Sequence, residues 1–225
     1  MTLVAHAIAA APPAAVDDGG LRGRPLAWSE AAGLGVWSTE WERGLELERG
    51  DVLEHHRVVE RLCAAQPCLP VRFGTTFANG DAARSSLEKN GARLRAALER
   101  VAGKVEIALT LLWREPETPA VVPSEAGPGR RFLEERRARF AAADARKKRA
   151  ERLVAELVEA LAVDRALVWH ETCTSESVAV SLAVLVPADR ALERKAELDR
   201  LASGYRDVMG IVNGPWPPYT FARIE

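Results

Sequence analysis

Lys104-Val105-Glu106-Ile107-Ala108-Leu109-Thr110-Leu111-Leu112-Trp113 is the most regular two-residue alternation in the chain. Val105, Ile107, Leu109, Leu111 and Trp113 fall on one face, and Glu106, Ala108 and Thr110 on the other. Successive side chains of a strand point to opposite faces, so this pattern predicts a half-buried β-strand. Downstream of it, a loop with Pro116, Pro119 and Pro123 leads to Gly127-Pro128-Gly129, and then Arg130 to Val163 runs without Pro or Gly. Such a run predicts one long helix. Leu153, Val154, Leu157, Val158 and Leu161 give its second half a core face, whereas its first half offers only Phe132, Leu133 and Phe140 among charges. Ala166–Thr172 and Val178–Val186 flank the polar turn Thr174-Ser175-Glu176 and read as a hairpin. Pro187 and Asp189 open a helix through Ala202, with Leu198, Leu201 and Tyr205 inward and Gly204 at its end; Val208–Val212 is a last strand. The order from Lys104 is therefore β, α, β, β, α, β, the split arrangement of ferredoxin-like domains with helices on one face of an antiparallel sheet.

Upstream the signals are sparser. Leu3–Ile8 reads as a strand, Asp17–Pro25 as a surface loop, and Gly35–Trp41 as a second strand. Asp51 caps a helix whose positions Val52, His55, Val59 and Leu62 recur at helical spacing, and Pro67 stops it. Leu69–Phe73 resumes as a strand. Asn79-Gly80-Asp81 starts a second helix with a buried stripe of Leu87, Leu94, Leu98 and Val101, ended by Gly103. The fold expected is α+β in two domains: 1–102, a smaller α+β unit on a degenerate ferredoxin-like plan, and 103–225, ferredoxin-like with one long charged helix.

The 225 residues, 48% hydrophobic and 28% charged, have the balance of a globular chain. A formal net charge of -1 gives the whole molecule no field for nucleic acid or anionic lipid. Residues 130–152 are the exception, with ten Lys or Arg against four acids. That basic helix makes nucleic-acid binding the rival function. Against it, Glu135 with Arg139 and Asp144 with Lys148 stand at the i, i+4 spacing of self-supporting pairs, and aromatic interleaving is thin. Cys63, Cys68 and Cys173, odd in number and without a C-x-x-C pair, argue against a disulfide framework and for a reducing compartment. The Ala-rich start lacks a basic region and carries His6 within its apolar run, which speaks against a signal peptide, and no stretch nears a membrane span; the expectation is a cytoplasmic protein.

Catalytic chemistry has few candidates. His55 and His56 are adjacent on a helix, about 100° apart, so they cannot share a metal from one face and read as one packed and one wet. His170 and Glu171 alternate across a strand. Gly127-Pro128-Gly129-Arg130-Arg131 lacks the Lys-Ser/Thr ending of a phosphate loop and reads as a tight turn into the long helix. Neither G-x-S-x-G, H-E-x-x-H nor G-x-G-x-x-G occurs. No residue is assigned to catalysis, to a cofactor or to a metal.

Two segments stand out from ordinary propensity: Leu69-Pro70-Val71-Arg72-Phe73-Gly74-Thr75-Thr76-Phe77 and Gly214-Pro215-Trp216-Pro217-Pro218-Tyr219-Thr220-Phe221. With Gly103-Lys104-Val105-Glu106 and Gly129-Arg130-Arg131-Phe132-Leu133-Glu134, in this order and spacing, the chain from about Val52 to Phe221 resembles the gas vesicle protein F/L family (GvpF/GvpL). It departs from the family in a shorter, Gly-rich start, in Ile107 where an aromatic is usual, and in Thr220 for Ser. The resemblance implies a non-enzymatic assembly factor. It would bind the small, very apolar shell protein, limit its aggregation, and stay as a minor vesicle component. Other accessory proteins or a second copy would be further partners, with no membrane or nucleic acid. It also points to the N-terminal domain as the docking part. The motif residues are expected to be structural or interfacial: Trp216 and Tyr219 among stiff prolines as a staple, and Arg72 paired with a carboxylate such as Glu106.

Overall fold

The computed structural model describes residues 1–10, 16, 19–42, 48–114, 128–173, 175 and 177–223, with backbone only at 128, 129, 131, 133 and 135. The chain divides into two compact units, residues 1–106 with 215–225, and residues 107–214.

In the first unit β1 (Thr2–Ala9) is apolar on both faces and is buried on both, as befits a central strand. It pairs antiparallel with β3 (Leu34–Trp41), and β3 with β2 (Leu26–Ala31). Along its other edge β1 takes β4 (Cys68–Pro70) and then β5 (Thr76–Phe77). The sheet path is β2-β3-β1-β4. Two helices accompany it, α1 (Arg49–Ala65) and α2 (Gly80–Val101).

β2 is the element the sequence conceals. Its hairpin turn, Ala32-Gly33, has positive φ at both residues, 52° and 71°, as a type I′ turn requires. Alanine stands where Asn or Asp would have advertised the turn. The hairpin is held by Trp28, which lies directly opposite Trp37 with ring centroids 4.9 Å apart. Gly35 makes room for the Trp28 ring, since a Cβ there would overlap it.

The second sheet follows the path β7-β8-β6-β9, with β6 (Lys104–Trp113), β7 (Val168–Thr172), β8 (Val178–Pro187) and β9 (Val208–Trp216). α3 (Pro128–Leu161) joins β6 to β7 and packs on β7 and β8; α4 (Ala191–Ser203) joins β8 to β9. This is the βαββαβ order read from the alternation at Lys104. Ile107, Leu109 and Leu111 of β6 are buried, as are Ala150, Leu153, Leu157 and Leu161 of α3. Among the described side chains of α3 the first buried one is Ala150; Phe132 and Phe140 are 61% and 65% exposed.

The two paths follow one rule: in each sheet the first strand of the unit sits third in the path. In the first unit the link from β1 to β2 carries, among its described residues, only a single 3-10 turn at Leu21–Gly23. α2 instead packs on β2 and β3, the half of the sheet that corresponds to the one α3 covers in the second unit. A late helix thus does the work of a crossover helix. It is capped by Asn79, whose Oδ1 accepts the Ala82 N–H at 2.9 Å, and tied to the hairpin by Arg95, which donates to the Ala32 carbonyl at 2.7 Å.

Several local expectations shift. α1 starts two residues before Asp51, which sits at its third position in a reciprocal capping box with Glu48, and Val52 is exposed while Val58 is buried. The expected strand Leu69–Phe73 ends at Pro70, and the chain turns instead. Cys63 and Cys68 are bonded, contrary to the reading of the cysteine count: the helix stops at Ala65 and three residues later the chain is in β4, so the two Cα atoms are 5.3 Å apart, within disulfide range. The Pro116–Pro123 loop, Gly127, Asp17, Asp18, Thr174 and Glu176 lie outside the described residues, as do the side chains of Arg131, Leu133 and Glu135.

Candidate docking cleft

The cleft begins at a bulge. The β1–β3 register shifts between Ala5 and Ala7, leaving His6 as the extra residue. Its side chain is fully buried, with Nε2 2.7 Å from Thr39 Oγ1, which also accepts the Leu21 N–H at 3.1 Å. The bulged backbone faces the other way: the His6 carbonyl accepts the Val71 N–H at 2.8 Å, and the Ala5 N–H donates to the Thr75 carbonyl at 2.9 Å. Between these two bonds Arg72-Phe73-Gly74-Thr75 form a β-turn closed by the Thr75 N–H on the Arg72 carbonyl at 3.2 Å. Gly74 has φ of 85°, the value a type II turn needs at its third residue. The physical content of the Arg-Phe-Gly-Thr motif is this turn. It presses Phe73 edge-on against His55, centroids 5.4 Å apart, and leaves Arg72 exposed.

α1 supplies the floor. His55 is buried, its Nε2–H donating to the Ala5 carbonyl at 3.1 Å, and its ring lies 4.9 Å from that of His6. Burial pushes His6 down to about 3, helped by the neighbouring His55 and Arg61, and lowers His55 as well; both are neutral. The reading of one packed and one wet histidine is half right. His56 is not wet: Trp216 packs on it edge-on at 5.1 Å and Tyr219 stacks at 6.1 Å, while Nε2 lies 3.3 Å from Glu60. The helix start is clamped by Arg22, which donates to both Asp51 oxygens at 2.9 and 2.8 Å and holds that carboxyl below its usual range.

The third wall is the tail. Gly214, at φ of 113°, lets the chain swing into Pro215–Phe221. Pro217 and Pro218 are buried, and the Pro218 carbonyl accepts from Phe221 and Ala222 at 3.2 and 3.0 Å. Arg100 of α2 donates to the Phe221 carbonyl at 2.6 Å. Thr220 donates its N–H to one Glu106 oxygen and its Oγ–H to the other, each at 2.8 Å. Burial raises the Glu106 carboxyl, and these two bonds oppose the shift. The expected Arg72–Glu106 pair is therefore absent. Thr220 occupies both oxygens, and Arg72 makes no ion pair with any described residue. Tyr219 is half-buried, which pushes its phenol up.

Turn, helix and tail enclose an open cleft of about 390 Å³. Val52 and Leu53 line it from α1, Arg72 and Phe73 from the turn, and Tyr219 and Arg223 from the tail. Val52 is 42% and Leu53 65% exposed. Among the described residues no carboxylate lines it. The two segments singled out by the sequence, 147 positions apart at Arg72 and Tyr219, meet here; the bulge at His6, invisible to motif reading, holds the turn in its place.

The remaining sequence candidates lie in the second unit. Arg130 pairs with Glu134 at 2.9 Å on the exposed first half of α3, Lys148 with Asp144 at 2.8 Å, and Arg149 with Asp207 at 2.7 Å. Phe132, Arg136 and Phe140 line a second groove of about 820 Å³ with Cys173. His170 and Glu171 are both exposed. Among the described residues no group of three or more His, Cys, Asp or Glu is placed to hold a metal ion, and no helix is long and apolar enough to cross a membrane.

The sequence profile of the family described as gas vesicle synthesis protein GvpL/GvpF matches residues 3–223. Gas vesicle protein L2 of Halobacterium salinarum is 35% identical over 179 residues, 68% of this chain and 63% of that protein, so the chain spans less than two thirds of that relative. Gas vesicle protein L1 of the same organism is 27% identical over 236 residues, covering 90% of this chain and 83% of that one. The crystal structure of GvpF from Anabaena sp. PCC7120 superposes with a TM-score of 0.74 at 18% identity, over 100% of this chain and 99% of that one. GvpF from Microcystis aeruginosa gives 0.72 at 15% identity over 99% of both. At such identities these two structures speak for the fold.

Proposed function

The chain belongs to the gas vesicle synthesis protein GvpL/GvpF family, and from that premise we propose that it is an assembly factor for the vesicle shell. In this reading it binds the small hydrophobic shell protein, limits its aggregation while a vesicle nucleates, and remains as a minor component of the finished particle in the cytoplasm. The family match over residues 3–223 is the observation that carries it. Physical chemistry makes the task a necessary one. A subunit with a gas-facing side exposes apolar surface while still in water, and such surface associates indiscriminately unless covered. Reversible cover needs surface, not bond-making chemistry.

The test is co-expression of the full chain with the shell protein. The expected result is that the shell protein becomes soluble and co-purifies; a shell protein that aggregates equally with and without this chain overturns the reading. Nucleic-acid binding through residues 130–152 is the second reading, favoured by their local charge of +6. Arg130, Lys148 and Arg149 already have acidic partners, which weakens it. Nucleic acid that accompanies the purified protein at low salt and leaves at high salt would support it, because phosphate contacts are lost steeply with ionic strength.

A further inference from the structure

We propose that the first-unit cleft between α1, the Arg72–Thr75 turn and the Pro217–Arg223 tail is the docking site for a side-chain carboxylate flanked by an aliphatic residue on the shell protein. The inference rests on the shell-binding reading and adds the place and the chemistry. Charge complementarity selects the occupant. Arg72 lines the cleft and no acid does among the described residues, while carboxylates around it are already engaged: Glu106 by Thr220 and Arg223, Asp51 by Arg22, and Glu60 beside His56. Arg72 is exposed and makes no ion pair with any described residue, yet its backbone is pinned on both sides by the bonds of the turn.

An arginine held this way loses little backbone freedom on binding, and its guanidinium is suited to a planar carboxylate. Beside it Val52 and Leu53 expose aliphatic surface on the first turns of α1, and Phe73 and Tyr219 supply aromatic walls. A cleft of about 390 Å³ accommodates two or three side chains, not a whole helix. The match is to a short acidic-aliphatic stretch, with the carboxylate on Arg72 and the aliphatic group on Leu53. Tight turn and stapled tail keep the cleft open before the partner arrives, so little ordering is needed at docking.

The test uses the full chain with Arg72→Glu and Leu53→Ser, both exposed positions, and Leu192→Ser of the second unit as a control at 76% exposure. Unchanged circular dichroism and urea midpoints show that each variant folds. Co-purified shell protein is expected to drop at least tenfold for Arg72→Glu and Leu53→Ser and to stay at wild-type level for Leu192→Ser. Replacing the matching acid of the shell protein by Arg is expected to restore binding to Arg72→Glu. Wild-type capture by both cleft variants overturns the site while leaving shell binding intact; no capture by the unmodified chain overturns the functional reading itself. Binding of ATP or inorganic phosphate that disappears in Arg72→Glu, with shell capture unaffected, also overturns the proposal and makes the cleft an anion pocket.

Discussion

Glu106 and Thr220 show how much one residue pair can carry. Thr220 supplies both donors for a buried carboxylate, and the glutamate belongs to β6 while its partner sits in the tail, 114 positions on. Removing the hydroxyl leaves Glu106 Oε1 buried without a donor, which costs about 1–3 kcal/mol. Thr220→Val is therefore expected to lower the unfolding free energy by that amount, read as a lower urea midpoint at unchanged slope, and Thr220→Ser, which keeps the hydroxyl, to remain near wild type. A Val variant as stable as the parent would mean that the tail is not a staple. The same logic explains the missing Arg72–Glu106 pair. Sequence reading sees two opposite charges, but both oxygens of this carboxylate already take donors from Thr220, and the arginine that acts on its charge is Arg223.

At the scale of elements, the β2–β3 hairpin and the two halves of α3 make opposite demands. Ala32 is held at φ of 52° in the turn, a region where a Cβ is strained and glycine is not. Ala32→Gly is expected to raise stability by up to about 1 kcal/mol, read as an upward shift in thermal midpoint. The described side chains in the first half of α3 instead lie mostly in solvent. Phe132 and Phe140 contribute nothing to a core, so Phe132→Ser and Phe140→Ser are expected to leave the unfolding free energy within about 0.5 kcal/mol of wild type. A large loss would place a covering element over that face. From Ala150 onward the helix is bound to its sheet, and Arg149, with Asp207 and Glu156 as partners, marks the border.

For the molecule as a whole the acid side is the vulnerable one. His6, pushed to about 3 by burial in the fold, has an ordinary value of 6.5 once unfolded. The unfolded chain thus binds more protons between these limits, and the stability present above pH 6.5 is lost as pH falls towards 3. The slope is about 1.4 kcal/mol per pH unit for each histidine kept neutral, and His55, also lowered by burial, adds to it. Asp51, held low by Arg22, contributes stability above its ordinary 3.8 that is lost as pH falls further. The raised Glu106 carboxyl works in the opposite sense, favouring the fold when protonated and losing that advantage as pH rises. Urea midpoints are expected to fall steadily from pH 7 to 4.5, and His6→Gln to flatten the curve; a flat wild-type curve would contradict the neutral buried pair.

The alternation at Lys104 and the Pro- and Gly-free run after Gly129 determined the βαββαβ half from sequence, because strand and helix periods are properties of the local chain. The Arg-Phe-Gly-Thr and Gly-Pro-Trp-Pro-Pro-Tyr segments likewise declared themselves, since Gly and Pro fix backbone geometry wherever they stand. Tertiary structure alone decided the rest. It made a hairpin of an Ala-Gly turn, buried His6 at a bulge, joined Cys63 to Cys68, and gave Glu106 to Thr220 instead of Arg72. The bulge and the Glu106–Thr220 bonds depend on which residues distant in sequence come within a few ångströms, and the turn and the disulfide on how their flanking elements pack; both are settled by the packing of sheets and helices.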